Sequence, residues 1–153
     1  MIPPNLLLDT NVLIHLARDN SIGRIIDARF GLRNPAQVPL LSIVTVGEAL
    51  AFARKRDWGT AKTDQLQTLL RELIVVDVNS EPILQGYAEI DTYLTRRGNP
   101  IEQNDIWIAA TARATNSLLL TTDKDFNVLH PAYLNRVWID PRAPHALNSP
   151  ESP

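Results

Sequence analysis

With 153 residues, 44% of them hydrophobic, and a formal charge of -2, the chain has material for one compact core and little room for two domains. It contains no cysteine, which excludes a disulfide framework or a thiolate metal site and makes a reducing cytosol the natural setting. No apolar run reaches the length of a membrane span, and MIPPNLLLD lacks the basic flank and cleavage site of a signal peptide, so the expected location is cytoplasmic, away from membranes.

The first structured stretch is LLLDTN, Leu6 to Asn11. Three leucines bounded by polar residues read as a strand covered on both faces, ending in the carboxylate Asp9. Val12, Leu13, Leu16 and Ala17 then recur at helical spacing. A second helix follows, with Ser21 as expected N-cap, a stripe of Ile22, Ile25, Ile26 and Phe30, and Gly31 as its end. After a loop from Arg33 to Pro39, Leu40 and Leu41 form a second strand, and a helix runs from Ser42 to about Arg56. Its closing cations Arg54, Lys55 and Arg56 suit the negative end of a helix dipole, although contact with RNA is also open to them.

Trp58 and Gly59 break the chain, and Thr60 is the expected cap of a helix that turns Leu66, Leu69, Leu70 and Leu73 inward. Ile74 to Val76 is a third strand. The next helix carries the stripe Ile83, Leu84, Tyr87, Ile90 and Leu94 and stops at Arg96, Arg97, Gly98, Asn99 and Pro100. A helix from about Asp105 to Ala114 carries Ile108, Ala109, Ala110 and Ala112, small enough to let it lie close against a sheet. Leu118 to Leu120 and Val137 to Ile139 complete five strands. Residues 1–140 therefore read as the domain, and residues 141–153, rich in proline and serine, as a loosely ordered tail.

This alternation predicts a doubly wound α/β domain with a mainly parallel sheet. With the first strand central, the second and third on one side and the fourth on the other, the functional crevice falls between the ends of strands one and four. Asp9 and Asp123 end those two strands. Glu48 lies on the helix after strand two, and Asp105 starts the helix leading into strand four.

Each acid has an ordinary role available. Asp9 can cap a helix, Glu48 stands three residues after Thr45 as in a capping box, Asp105 can complement a helix dipole, and Asp123 can turn the chain. Together they read differently. Glu48 has only Val44, Thr45, Ala51 and Phe52 one helical turn away, and Asp105 has Ile101, Ile108 and Ala109 beside it. Inward carboxylates without a cation nearby are neutralised or bound to a metal. With no cysteine and three scattered histidines, the remaining donors are hard oxygens, which suit Mg²⁺ or Mn²⁺ and not Zn²⁺. His15, His130 and His145 need no catalytic role. Setting the four acids aside leaves 13 acidic residues against 15 basic ones, 12 of them arginine, so the remaining surface leans cationic.

LLLDTN, SIVTVGEAL, NDIWIAATA and LLLTTDKDF resemble, in order and spacing, the four acidic motifs of PIN-domain ribonucleases, and the size of the chain is similar to that of VapC toxins of type II toxin–antitoxin pairs. The resemblance spans Leu6 to about Ile139 and implies a three-layer α/β/α fold. It also implies an Mg²⁺- or Mn²⁺-dependent endoribonuclease acting as a toxin. It makes Asp9, Glu48, Asp105 and Asp123 the catalytic acids, with Asp9, Asp105 and Asp123 as metal ligands. Thr10, Asn11, Thr122 and Asp125 are then supporting residues. RNA is the implied substrate, with a VapB-like antitoxin as partner in a hetero-oligomer and a homodimer of the chain itself.

Such a site polarises phosphate oxygens and activates water for in-line attack, which leaves 5′-phosphate and 3′-hydroxyl ends. A PIN-fold nuclease with an RNA-processing role is the nearest alternative. A phosphatase using the same crevice is another, but the haloacid-dehalogenase type needs a second aspartate two positions after the first, where this chain has Asn11. A binding module without catalysis predicts loss of one of the four acids, and all four are present.

Overall fold

The computed structural model describes residues 4–146. Its five strands are β1 (Leu6–Leu8), β2 (Leu40–Ser42), β3 (Ile74–Val76), β4 (Leu118–Thr121) and β5 (Asn135–Trp138). They form one parallel sheet in the order β3-β2-β1-β4-β5. The central position of β1 and the reversal of strand order beside it are as expected from the alternation, and they leave the crevice at the ends of β1 and β4.

Successive side chains of a strand point to opposite faces, and both faces are covered here. Leu8, Leu41 and Leu120 pack with α1 (Thr10–Arg18), α2 (Ser21–Phe30), α3 (Ile43–Lys55) and α4 (Thr60–Glu72). Leu7, Leu40 and Leu119 pack on the other side with α5 (Glu81–Arg97) and α6 (Gln103–Thr115). The continuous leucine runs thus correspond to a sheet buried between two helical layers. Gly86 of α5 makes the close approach to α6: a Cβ there would sit 3.4 Å from that of Ala110.

Several local expectations are corrected. The N-cap of α2 is Asn20, whose Oδ1 accepts from the Gly23 amide at 2.8 Å, and Ser21 is the first helical residue. Likewise Gly59 holds the cap position of α4, with Thr60 inside the helix. Leu84 is 42% exposed, because the buried face of α5 runs through Ile83, Gly86, Ile90 and Leu94. α6 begins two residues before Asp105, and β5 begins at Asn135, ahead of Val137. Lys124–Leu129 forms a 3-10 helix that the sequence reading left without an element, anchored by buried Phe126 and Leu129. Past Ile139, the chain turns through residues 140–146, and Arg29 donates to the Pro144 carbonyl at 3.2 Å. Residues 147–153 of the expected tail lie outside the described residues, as do residues 1–3.

Candidate metal and nuclease site

Asp9 is the N-cap of α1 and 4% exposed. Its Oδ1 accepts from the Thr10 amide at 2.8 Å and its Oδ2 accepts from the Thr121 hydroxyl at 2.7 Å. Both oxygens are therefore fixed in direction while each keeps a free lone pair. The strand register explains the second bond: Leu6, Leu7 and Leu8 pair with Leu118, Leu119 and Leu120, so the next residue of β1 meets the next of β4.

Glu48 is held from two sides. Thr10 Oγ1 donates to its Oε1 at 2.6 Å, and Asn104 Nδ2 donates to Oε2 at 3.3 Å. Asp105, in the first turn of α6, faces the same crevice, as do Asp123 and Asp125, and Asn11 lines its wall. Asp123 caps the 3-10 helix, its Oδ1 accepting from the Asp125 amide at 2.8 Å, and its own amide donates to Thr121 Oγ1 at 2.9 Å. One carboxylate oxygen from each of Asp105, Asp123 and Asp125 lies within 4.8 Å of the others. Thr122 turns its carbonyl to the Trp138 indole N–H at 3.1 Å.

The four expected acids thus share one crevice, brought there by β1, α3, α6 and the end of β4. Sequence reasoning missed two of the side chains that hold them, Thr121 and Asn104, and did not foresee that Thr45 Oγ1 lies 3.3 Å from that of Thr10. Thr121 would have been found had the register of β1 against β4 been known. The histidines lie elsewhere in the hydrogen-bond network, His15 with Asn20 and His130 with the Arg136 amide.

No ion pair among the described residues involves Asp9, Glu48, Asp105 or Asp123. Burial pushes the Asp9 carboxyl up to about 6, against the lowering pull of the Thr121 hydroxyl and Thr10 amide. Burial and then the charges of Asp9, Asp123, Glu48 and Glu102 push Asp105 up to about 8. Burial and Asp123 also raise Asp125. Crowded oxygens that resist carrying their charges together, with no cation among them, fit a small hard cation.

A pH dependence follows for the metal-free protein. Above the ordinary carboxylate range the unfolded chain releases protons that folded Asp9 and Asp105 retain, so stability falls as pH rises from about 4. The fall from Asp9 levels off near pH 6 and that from Asp105 near pH 8. Melting curves in chelator should show this decline, and saturating Mg²⁺ or Mn²⁺ should remove most of it. A metal-free stability that is flat or rising between pH 5 and 8 would contradict the crowding of these acids.

The PIN domain family model matches residues 6–130. Among curated proteins, the chain is similar to Ribonuclease VapC1 of Haemophilus influenzae (strain R2866), with 30% identity over 118 residues, which cover 75% of this chain and 84% of that one. Among solved structures, it is similar to VapBC-1 from nontypeable Haemophilus influenzae, with TM-score 0.71, 26% identity and coverage of 87% of this chain and 96% of that one. It also resembles VapBC2 from Rickettsia felis, solved bound to a DNA fragment from its promoter, with TM-score 0.73, 22% identity and coverage of 86% and 96%. The chain belongs to the PIN domain family and, within it, to the VapC ribonucleases, the endoribonuclease toxins of toxin–antitoxin pairs.

Proposed function

We propose that Asp9, Glu48, Asp105 and Asp123 form the active site of an Mg²⁺- or Mn²⁺-dependent endoribonuclease. The observation that carries this reading is the convergence of four carboxylates from separate segments on one crevice with no cation paired to them. Asp9, Asp105 and Asp123 are the residues to hold the ion, and Asp125 is a further donor, one of its oxygens lying within 4.8 Å of those of Asp105 and Asp123. When bound, the ion supplies Lewis-acid polarisation of the scissile phosphate and a lowered pKa for the attacking water.

The remaining work falls to the side chains. Glu48 orients the attacking water and accepts its proton, since Thr10 and Asn104 fix the carboxylate in place. Thr121 and the Thr10 amide keep Asp9 in a single orientation. The protein partner is a VapB-like antitoxin; the family and the VapBC structural neighbours support that assignment. Expression of the chain alone is expected to arrest growth, and co-expression with its VapB-like antitoxin to relieve the arrest.

Water attacks the phosphorus in this scheme and the P–O3′ bond breaks, the leaving 3′-oxygen taking a proton from solvent, so the cut leaves a 5′-phosphate and a 3′-hydroxyl. Purified protein incubated with total RNA in Mg²⁺ should generate new ends that ligate directly to an adapter, and chelator should abolish them. A 2′-deoxy residue at the cut position should still permit cleavage. Cyclic 2′,3′-phosphate ends that vanish in Asp9→Asn would overturn the water mechanism.

A further inference from the structure

The acidic crevice does not end at its acids. Glu48 and Lys55 are seven residues apart on α3, two helical turns or about 11 Å along one face, and both line the crevice, with Ala51 and Phe52 between them. Cations from three helices gather beyond Phe52. The Arg18 and Arg56 guanidinium groups lie 5.2 and 4.9 Å from the centre of its ring. Trp58 meets Phe52 edge-on at 5.9 Å and has Arg18 at 5.8 Å and the Lys62 ammonium at 5.7 Å.

Among the described residues, no ion pair joins Arg18, Lys55, Arg56 or Lys62 to a carboxylate. Asp57, at the turn after α3, is the acid between Lys55 and Lys62 in sequence, and Asp19, next to Arg18, pairs with Arg24. A helix dipole accounts for cations at the end of α1 and α3, but Lys62 lies in the first turn of α4, where the dipole opposes a positive charge. Rings that back guanidinium planes leave the N–H edges free for phosphate oxygens at little entropic cost.

We propose that the C-terminal half of α3 is the track for the RNA strand leaving the cut site. Lys55 binds the phosphate nearest the crevice, and Arg56, Arg18 and Lys62, backed by Phe52 and Trp58, bind those that follow. This rests on the ribonuclease reading and adds to it the residues that grip substrate backbone away from the reacting atoms. The grip is electrostatic and indifferent to base sequence.

The test uses the full chain and a short fluorescein-labelled single-stranded RNA, with binding read by anisotropy in chelator and cleavage in Mg²⁺. Lys55→Ala should reduce the slope of log affinity against log salt by about 0.7, the share of one phosphate contact on a single strand. It should raise KM with kcat kept within about twofold, as lost uniform binding does. Lys55→Arg should restore wild-type KM, Lys55→Glu should weaken binding more than about tenfold, and Arg71→Ala, on the exposed side of α4, should change nothing.

Unchanged salt slope and KM in Lys55→Ala and Lys62→Ala, in a protein whose wild type cuts RNA, would overturn the track and leave the nuclease reading standing. A wild type that cuts no RNA in Mg²⁺ or Mn²⁺ would overturn both. Unchanged RNA handling with weakened antitoxin binding would also overturn the track and assign this face to the protein partner.

Discussion

Asp105→Asn should leave a folded protein whose cleavage of RNA falls by about 10²-fold or more, because the substitution removes one charged oxygen donor where transition-state charge must be met. The amide keeps the shape of the side chain, so its neighbours Ile106, Ile108 and Ala109 stay packed in the core. The same variant should be more stable than wild type in chelator at pH 7.5. Asp105 is pushed up to about 8 by burial and by the charges of Asp9, Asp123, Glu48 and Glu102, and the neutral amide escapes both. Since the group is half-buried and partly screened by water, the gain is on the order of 1 kcal/mol. Below about pH 3 the carboxyl is protonated in both folded and unfolded chains, and the two proteins should melt alike. Activity lost and metal-free stability gained in one variant is the signature of a site built for a cation. A folded Asp105→Asn protein with full activity would remove this residue from the site.

Gly23→Ala should be among the most destabilising single substitutions in the chain, at about 3 kcal/mol, the level of an overpacked core. A Cβ on Gly23 would lie 2.2 Å from the carbonyl oxygen of His15 and 2.6 Å from its carbon, both backbone atoms of α1. Neither can swing aside as a flexible side chain would. The strain is relieved only by moving α2 off α1, and α1 begins at Asp9 and Thr10, so activity should fall together with stability. For a domain of this size the melting temperature should drop by roughly 10 °C. Gly47→Ala is the matched control. Nothing lies within 4 Å of its Cβ position, and an alanine inside α3 should be neutral or mildly stabilising. Equal melting temperatures for Gly23→Ala and wild type would show that the helices part at little cost.

The sheet was legible in the sequence because each inner strand is a short leucine run bounded by polar residues, the pattern of a strand buried on both faces. The acids were legible for a different reason: Glu48 and Asp105 interrupt apolar helix faces where a charge has no ordinary purpose. What supports them was not legible. Thr121 and Thr122 are adjacent and chemically alike, and only the register of β4 on β1 brings the hydroxyl of Thr121 to Asp9. Asn104 is an ordinary first-turn residue until α6 is set beside α3 and its amide meets Glu48. Lys55 belongs to a cluster that helix electrostatics explains on its own. Its place in the crevice follows from lying two turns beyond Glu48 on a helix whose other face is buried. The 3-10 helix at Lys124–Leu129 escaped because six residues are too few to set up a period.

The central claim is that these carboxylates hold the ion that cuts RNA, and the most direct measurement is anomalous scattering from crystals grown in Mn²⁺ at a concentration that supports cleavage. The expected result is a manganese peak in the crevice within coordination distance of Asp105 and Asp123, absent from Asp105→Asn crystals grown alongside. A peak elsewhere, or an empty crevice at that concentration, would contradict the account.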